Sequence, residues 1–228
     1  MEKIPVSSIV AFRRKGPAGQ QTLINNLRTP KKKEKGEEDS GGNYWITSLS
    51  SISNAFKLEE NTPITDKIEV AIEKMEAAGA KITKDMFQRN INILYNFEDF
   101  DFSSWKPKAK LGYLKRPKIK SIVVVKGLPI QVLPNHVFTF EEDGLEKMGA
   151  IWFVAKLGGY QDNELAVFTD MLYRYLDINY AEKFEVAPEF CRSVDVTDVK
   201  SINYSQILNK EIPTLLEPTL DSIKAMMK

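Results

Sequence analysis

The sequence predicts an α+β fold, in which an N-terminal helical region precedes a mixed β-sheet flanked by helices. Three observations carry that expectation. From Asn43 to Phe97 apolar residues recur at intervals of three and four, the period of one helix face. From Ser121 the period shortens, Val, Ile and Phe dominate, and Gly127, Pro129 and Pro134 punctuate, which is strand character. Between Gln161 and Asn179 helical spacing returns at Leu165, Phe168, Leu172 and Tyr175.

Residues 1–29 are expected to hold two short helices. Ser7 or Ser8 can cap the first, with Ile9, Val10 and Phe12 on its apolar side, because a hydroxyl satisfies an otherwise orphaned N–H at a helix start. The second spans about Gln20 to Leu27. Residues 30–42 contain no large apolar side chain and carry blocked charges, basic before acidic. That is the composition of a solvated, flexible linker.

A helical region at 43–105 follows. Trp45, Leu49, Ile52 and Phe56 share one face; Thr65 opens a segment with Ile68, Ile72 and Met75 that ends near Gly79; Thr83 can cap a third with Phe87, Ile91 and Leu94. Two long helices in a hairpin, or three shorter ones, fit this spacing. Residues 106–228 then form an α/β core with a C-terminal helix. Its strands are SIVVV, PIQVL, HVFTF and AIWFVAK, with a hairpin turn at Glu142-Asp143-Gly144. Gly158-Gly159 reads as a turn into the helix near Asp162, and Phe190–Val196 as a further strand. The last helix begins after Pro213 or Pro218.

Composition narrows the function classes. The 228 residues are 43% hydrophobic and 28% charged, enough for a sizeable core. The formal net charge is +1, so attraction to a polyanion has to come from local clustering. One such cluster exists. After the acidic-aromatic stretch NFEDFDFSSW at 96–105, residues 106–126 hold eight Lys or Arg and no acid. Lys106, Lys108, Lys110, Lys115, Arg116, Lys118 and Lys120, with Tyr113, are candidate contacts to a phosphate backbone and a stacked base. The other reading of these lysines is that they guard an exposed edge strand.

Cys191 and His136 are the only residues of their kinds. The count rules out a disulfide framework and a Cys/His zinc site. No apolar run approaches the ~20 residues of a membrane span. At the N-terminus the apolar piece precedes Arg13, Arg14 and Lys15, the reverse of a secretory signal. A cytoplasmic protein without a membrane partner is expected.

The order strand, strand, strand, helix, strand over about 120–197 resembles the core of PD-(D/E)XK phosphodiesterases. Pro134-Asn135 stands where that family places Pro-Asp, and Val154-Ala155-Lys156 where it places Glu-X-Lys. The resemblance implies a restriction-endonuclease-like core whose two carboxylates hold a divalent metal while the Lys orients water. Here Asn135 offers one neutral oxygen and Val154 none, and Mg²⁺ demands hard, charged oxygen ligands. In one branch of the family a Gln and a Tyr stand four apart on the next helix; Glu164 and Phe168 keep that spacing.

The expected site is therefore vestigial, comprising Asn135, His136, Lys156 and Glu164, with no catalytic residue, metal or cofactor. Glu98, Asp99 and Asp101 are the acids that could restore one. The function expected is a catalytically silent nuclease-like module that binds nucleic acid, weakly and non-specifically, or a protein partner, in DNA processing or defence. The alternatives are an interaction subunit contacting partners through 96–105 and the N-terminal helices, and a nuclease with relocated carboxylates.

Overall fold

A computed structural model describes residues 3–29, 44–115 and 121–227; the expected linker at 30–42 lies outside them. A two-residue strand β1 (Ile4–Pro5) leads into α1 (Val6–Arg13) and α2 (Pro17–Arg28). Residues 44–115 carry α3 (Ile46–Leu58), α4 (Thr62–Ala77), α5 (Lys81–Phe97), a 3-10 turn at Phe102–Trp105 and the short strand β2 (Gly112–Tyr113). Then come β3 (Ile122–Val125), β4 (Leu128–Gln131), β5 (His136–Glu142), β6 (Leu145–Val154) and α6 (Asp162–Tyr180). The chain ends with β7 (Glu185–Asp195), β8 (Lys200–Asn203), α7 (Tyr204–Leu208) and α8 (Leu216–Met226).

The fold is α+β, but its strands divide between two sheets. The larger runs β2-β5-β6-β7-β8, and the smaller β1-β4-β3. Within the larger sheet only β6 and β7 are parallel, and α6 is the crossover that joins them. Sequence period cannot show this division, because alternation fixes which face a side chain takes and not which strand lies beside it. The hairpin turns follow from backbone chemistry. Asp143 and Gly144 have φ of 53° and 75°, the paired left-handed conformation that twists with its strands. Lys126 and Gly127, at 52° and 80°, do the same for β3 and β4.

Alternation along β5 and β6 supplies two cores. Val137, Met148, Ala150 and Val154 face α6 and pack with α1, α8 and the small sheet. Phe138, Phe140, Ile151 and Phe153 face the other way, onto Phe56 of α3 and Leu94 and Phe97 of α5. The N-terminal segment is part of the first core: β1 pairs in parallel with β4, and Ile4, Val6, Ile9 and Val10 are buried there. Residues 44–105 form three helices covering the second. Several starts differ from expectation. Pro5 precedes α1 directly, α4 opens at Thr62 with Pro63 in its first turn, and α5 opens at Lys81. In α4 the fixed φ of Pro63 suits a helix start, whereas α5 opens after Ala80 with no side-chain cap.

β6 and β7 slip register between Met148 and Ala150, and Gly149 makes the slip possible. A Cβ there would lie 2.7 Å from both Phe190 Cβ and Phe190 O, and 2.9 Å from Phe138 Cε2. Backbone on one side and a core ring on the other leave little to yield. Gly149→Ala should lower stability by about 1–3 kcal/mol, the usual effect of overpacking, read as a drop in urea midpoint without a change in slope. An unchanged midpoint would mean the bulge relaxes freely.

Candidate nucleic-acid interface

The four residues of the expected vestigial site fall into two separate groups. Asn135 precedes β5, at the carboxyl end of β6. Its N–H donates to Ile151 O at 3.0 Å, and its Oδ1 accepts from Phe153 N–H at 2.8 Å. His136 faces α3. Its Nε2 lies 2.8 Å from both the Oγ and the carbonyl O of Ser53, and its ring stacks on Phe56. A carbonyl can only accept, so Nε2 carries the proton. A protonated Nε2 cannot take the Ser53 hydroxyl proton, which makes this pair a clamp between sheet and helix and not a nucleophile with its base.

Lys156 and Glu164 lie on the α6 side. Lys156 Nζ is 6.0 Å from the Tyr160 ring centre and makes no ion pair among the described residues. Glu164 is buried in the first turn of α6. Arg14 at the end of α1 grips both of its oxygens, through Nε and Nη2, and also donates to Gly159 O at 3.1 Å. Burial pushes the Glu164 pKa up, but the Arg14 guanidinium and the Gln161 N–H outweigh it and hold the carboxyl below its ordinary value. Beside it Asp195, fully buried at the end of β7, accepts from Tyr160 N–H at 2.5 Å and from the Thr197 N–H and hydroxyl at 3.0 and 2.7 Å. Sequence reading did not single out Asp195 or Arg14, since their partners lie 35 and 150 residues away.

The other acids do not rebuild a metal site. Asp101 caps the 3-10 turn by accepting from the Ser103 N–H and hydroxyl, which hold its carboxyl below the usual range. Asp99 and Asp101, with Glu59 and Glu60, line a cleft of about 650 Å³ that Phe100, Lys106 and Lys108 also border. Glu98 does not line it. Among the described residues no group of three or more His, Cys, Asp and Glu is placed to hold a metal ion. Cys191 is buried under α6, on the opposite face from His136, and burial raises its thiol pKa well above the ordinary value, so it is neither near the imidazole nor a ready nucleophile.

The basic stretch splits as well. Lys106 is an internal residue. Its side chain is 7% exposed, and its ammonium sits 4.4 Å over the Phe56 ring while donating to Phe56 O and Glu59. Tyr113 is not a free stacking platform. Its ring packs on His136 and Phe138 under Lys57, its hydroxyl is buried with no partner among the described residues, and burial raises its pKa to about 12. Lys108, Lys110 and Lys115 are exposed. Arg116, Lys118 and Lys120 lie outside the described residues.

These exposed lysines lead to a cleft that the sequence did not reveal. β2 pairs Tyr113 with Phe138, and Leu114 N–H donates to Val137 O, so Lys115 comes level with His136. Beyond it Asn135 borders a cleft of about 380 Å³ with Trp45, Ile46, Leu49, Ser50, Ser53 and Asn54. Lys110 shares its own shallow groove with Glu141 and Glu146. Among the described residues no acidic side chain lines the Trp45 cleft.

Two outcomes test these assignments. An ionised Glu164 is favoured by the fold, so its contribution is present above the unfolded value of about 4.3 and is lost as pH falls through the lower folded value. In Arg14→Met burial dominates, the Glu164 pKa moves above the unfolded value, and its contribution is lost as pH rises instead. The stability gap between wild type and Arg14→Met should reach about 2–3 kcal/mol at pH 7, reduced from the range for a broken buried pair because Arg14 is partly exposed. It should narrow toward pH 4 in urea titrations; a gap independent of pH would mean that packing and not charge is lost. Lys156→Met should change stability by less than about 1 kcal/mol; a larger loss would reveal a structural ion pair.

Comparison with family models, with curated proteins and with solved structures finds no match for this chain.

Proposed function

We propose that this protein binds nucleic acid without cutting it, at the sheet edge formed by β2 and the start of β5. The observation that carries the proposal is one of position. Exposed Lys110 and Lys115 flank β2, and its register brings Lys115 level with His136, next to Asn135 on an aromatic and amide-lined cleft, with exposed Lys108 at the far end beside Phe100, whereas Asn135, His136 and Glu164 are held in contacts that fix the fold. The lysines suit sequence-independent contact with phosphates, which releases counterions. A setting in DNA processing or defence follows by analogy with the nuclease core that 120–197 resembles in sequence.

The 650 Å³ cleft between the ends of α3 and α5 favours a second reading, a protein partner with a basic segment. Its carboxylates and Phe100 are the acidic-aromatic stretch singled out in the sequence.

No cleavage of DNA or RNA is expected in Mg²⁺ or Mn²⁺, and none in Glu98→Ala or Asp99→Ala. Cleavage by the wild type that disappears in either variant would overturn the proposal in favour of relocated carboxylates. Log affinity should fall with log salt by roughly 0.7–0.9 per phosphate contacted. Replacing Lys108, Lys110 and Lys115 together by Ser should lower both the affinity and that slope. A triple variant that binds as the wild type does would remove this edge as the interface.

A further inference from the structure

We infer that the cleft beside Asn135 takes an unpaired nucleobase, so that the nucleic acid bound here is single-stranded. The inference rests on the nucleic-acid reading above and names its substrate class. At about 380 Å³ the cleft falls in the range of ligand pockets, about 300–1,000 Å³. Among the described residues its lining is an indole, two aliphatic side chains, two hydroxyls and two amides, with no ionisable group. A phosphate would find no cation in it and an ammonium no carboxylate. A neutral, planar group with hydrogen-bonding edges matches both its apolar and its polar parts.

The polar groups offer both signs of hydrogen bond. The bond from Phe153 N–H fixes which atom of Asn135 is oxygen, so the amide NH₂ remains to donate. Ser50 Oγ donates to Ile46 O at 2.6 Å and keeps lone pairs that accept. Ser53 Oγ lies 2.8 Å from His136 Nε2, whose single proton it shares with the Ser53 carbonyl, so its O–H cannot donate to that nitrogen and can donate into the cleft. The exposed Asn54 amide supplies a donor and an acceptor at the mouth.

Trp45 is held before any ligand arrives. Tyr44 packs edge-on against it at 4.5 Å, and Arg89 donates to the Tyr44 hydroxyl. Asn90, 1% exposed, donates to Tyr44 O at 2.8 Å and accepts from Ser48 N–H and Oγ at 3.1 and 2.9 Å. The start of α3 is thus pinned to α5, and a braced ring loses little freedom when a base stacks on it. A duplex keeps its bases stacked inside, whereas a single strand can lay its backbone along Lys115 and turn one base into the cleft.

The test is fluorescence anisotropy at low salt with a labelled oligothymidylate and a duplex of equal length. Wild type, Trp45→Leu, Trp45→Phe and Asn54→Ala are compared, each first shown to unfold cooperatively. The single strand should bind more tightly than the duplex. Trp45→Leu should weaken single-strand binding roughly tenfold or more, as loss of a stacked base does, while leaving duplex affinity and salt slope unchanged. Trp45→Phe should recover part of the loss. Asn54→Ala, at an exposed position, should weaken single-strand binding several-fold and keeps the inference testable if Trp45→Leu fails to fold. Equal binding of single strand and duplex, or wild-type affinity in both Trp45→Leu and Asn54→Ala, overturns the inference and leaves the nucleic-acid reading standing. No binding of either oligonucleotide overturns both and favours the protein partner.

Discussion

The larger sheet is buried on both faces, and most of the chain's other choices follow from that. Alternate residues of β5 and β6 enter two different cores, one under α6 and one under α3–α5. A sheet covered this way has no open face on which to build a site. Only its edges and strand ends remain. The carboxyl ends of the parallel pair β6 and β7 are where an α/β sheet opens a crevice, and Asn135, Lys156 and Asp195 all lie at that end. The Trp45 cleft occupies the α3 side of it. The α6 side is filled by Arg14, Glu164 and Tyr160.

Charge at that end is arranged for folding. Arg14 joins α1 to the first turn of α6 and lets Glu164 stay ionised while buried. Asp195 is satisfied by three donors from the turn before α6 and the loop after β7. A carboxylate that already has its donors has few lone pairs left for a cation. The same holds across the sheet, where the imidazole of His136 is held by Ser53 and the ammonium of Lys106 by the end of α3. Residue types that suggest chemistry here serve to join layers.

What was legible in the sequence was what local period and turn chemistry determine. The α+β class, the Glu142-Asp143-Gly144 hairpin turn, the Gln161 entry to α6 and the apolar faces of α3 to α5 needed only neighbours within four residues. What depended on distant partners was not legible. β1 is two residues long and exists only because β4 lies beside it. The separation of β3 and β4 from the larger sheet is a choice of partner, to which a period of two is blind. β7 begins at Glu185, five residues before the expected Phe190, because the register slip at Gly149 lets it run on beside β6. Lys106 looked exposed among lysines. Phe56, 50 residues earlier, withdraws it, a contact no composition argument could supply. Trp45 and Asn135 were each noticed, one as a helix-face residue and one as a degenerate ligand. Their meeting in one cleft is a tertiary fact.

Chemical-shift mapping on the ¹⁵N-labelled protein with an unlabelled oligothymidylate tests the account most directly, because it reports where a ligand sits without altering any residue. The account predicts shifts at the Trp45 indole N–H, the side-chain amides of Asn54 and Asn135, and the backbone of Lys110 to Lys115. Glu60, Asp99 and the surroundings of Cys191 should stay unchanged. Shifts confined to the cleft between α3 and α5, or no shifts at all, would contradict it.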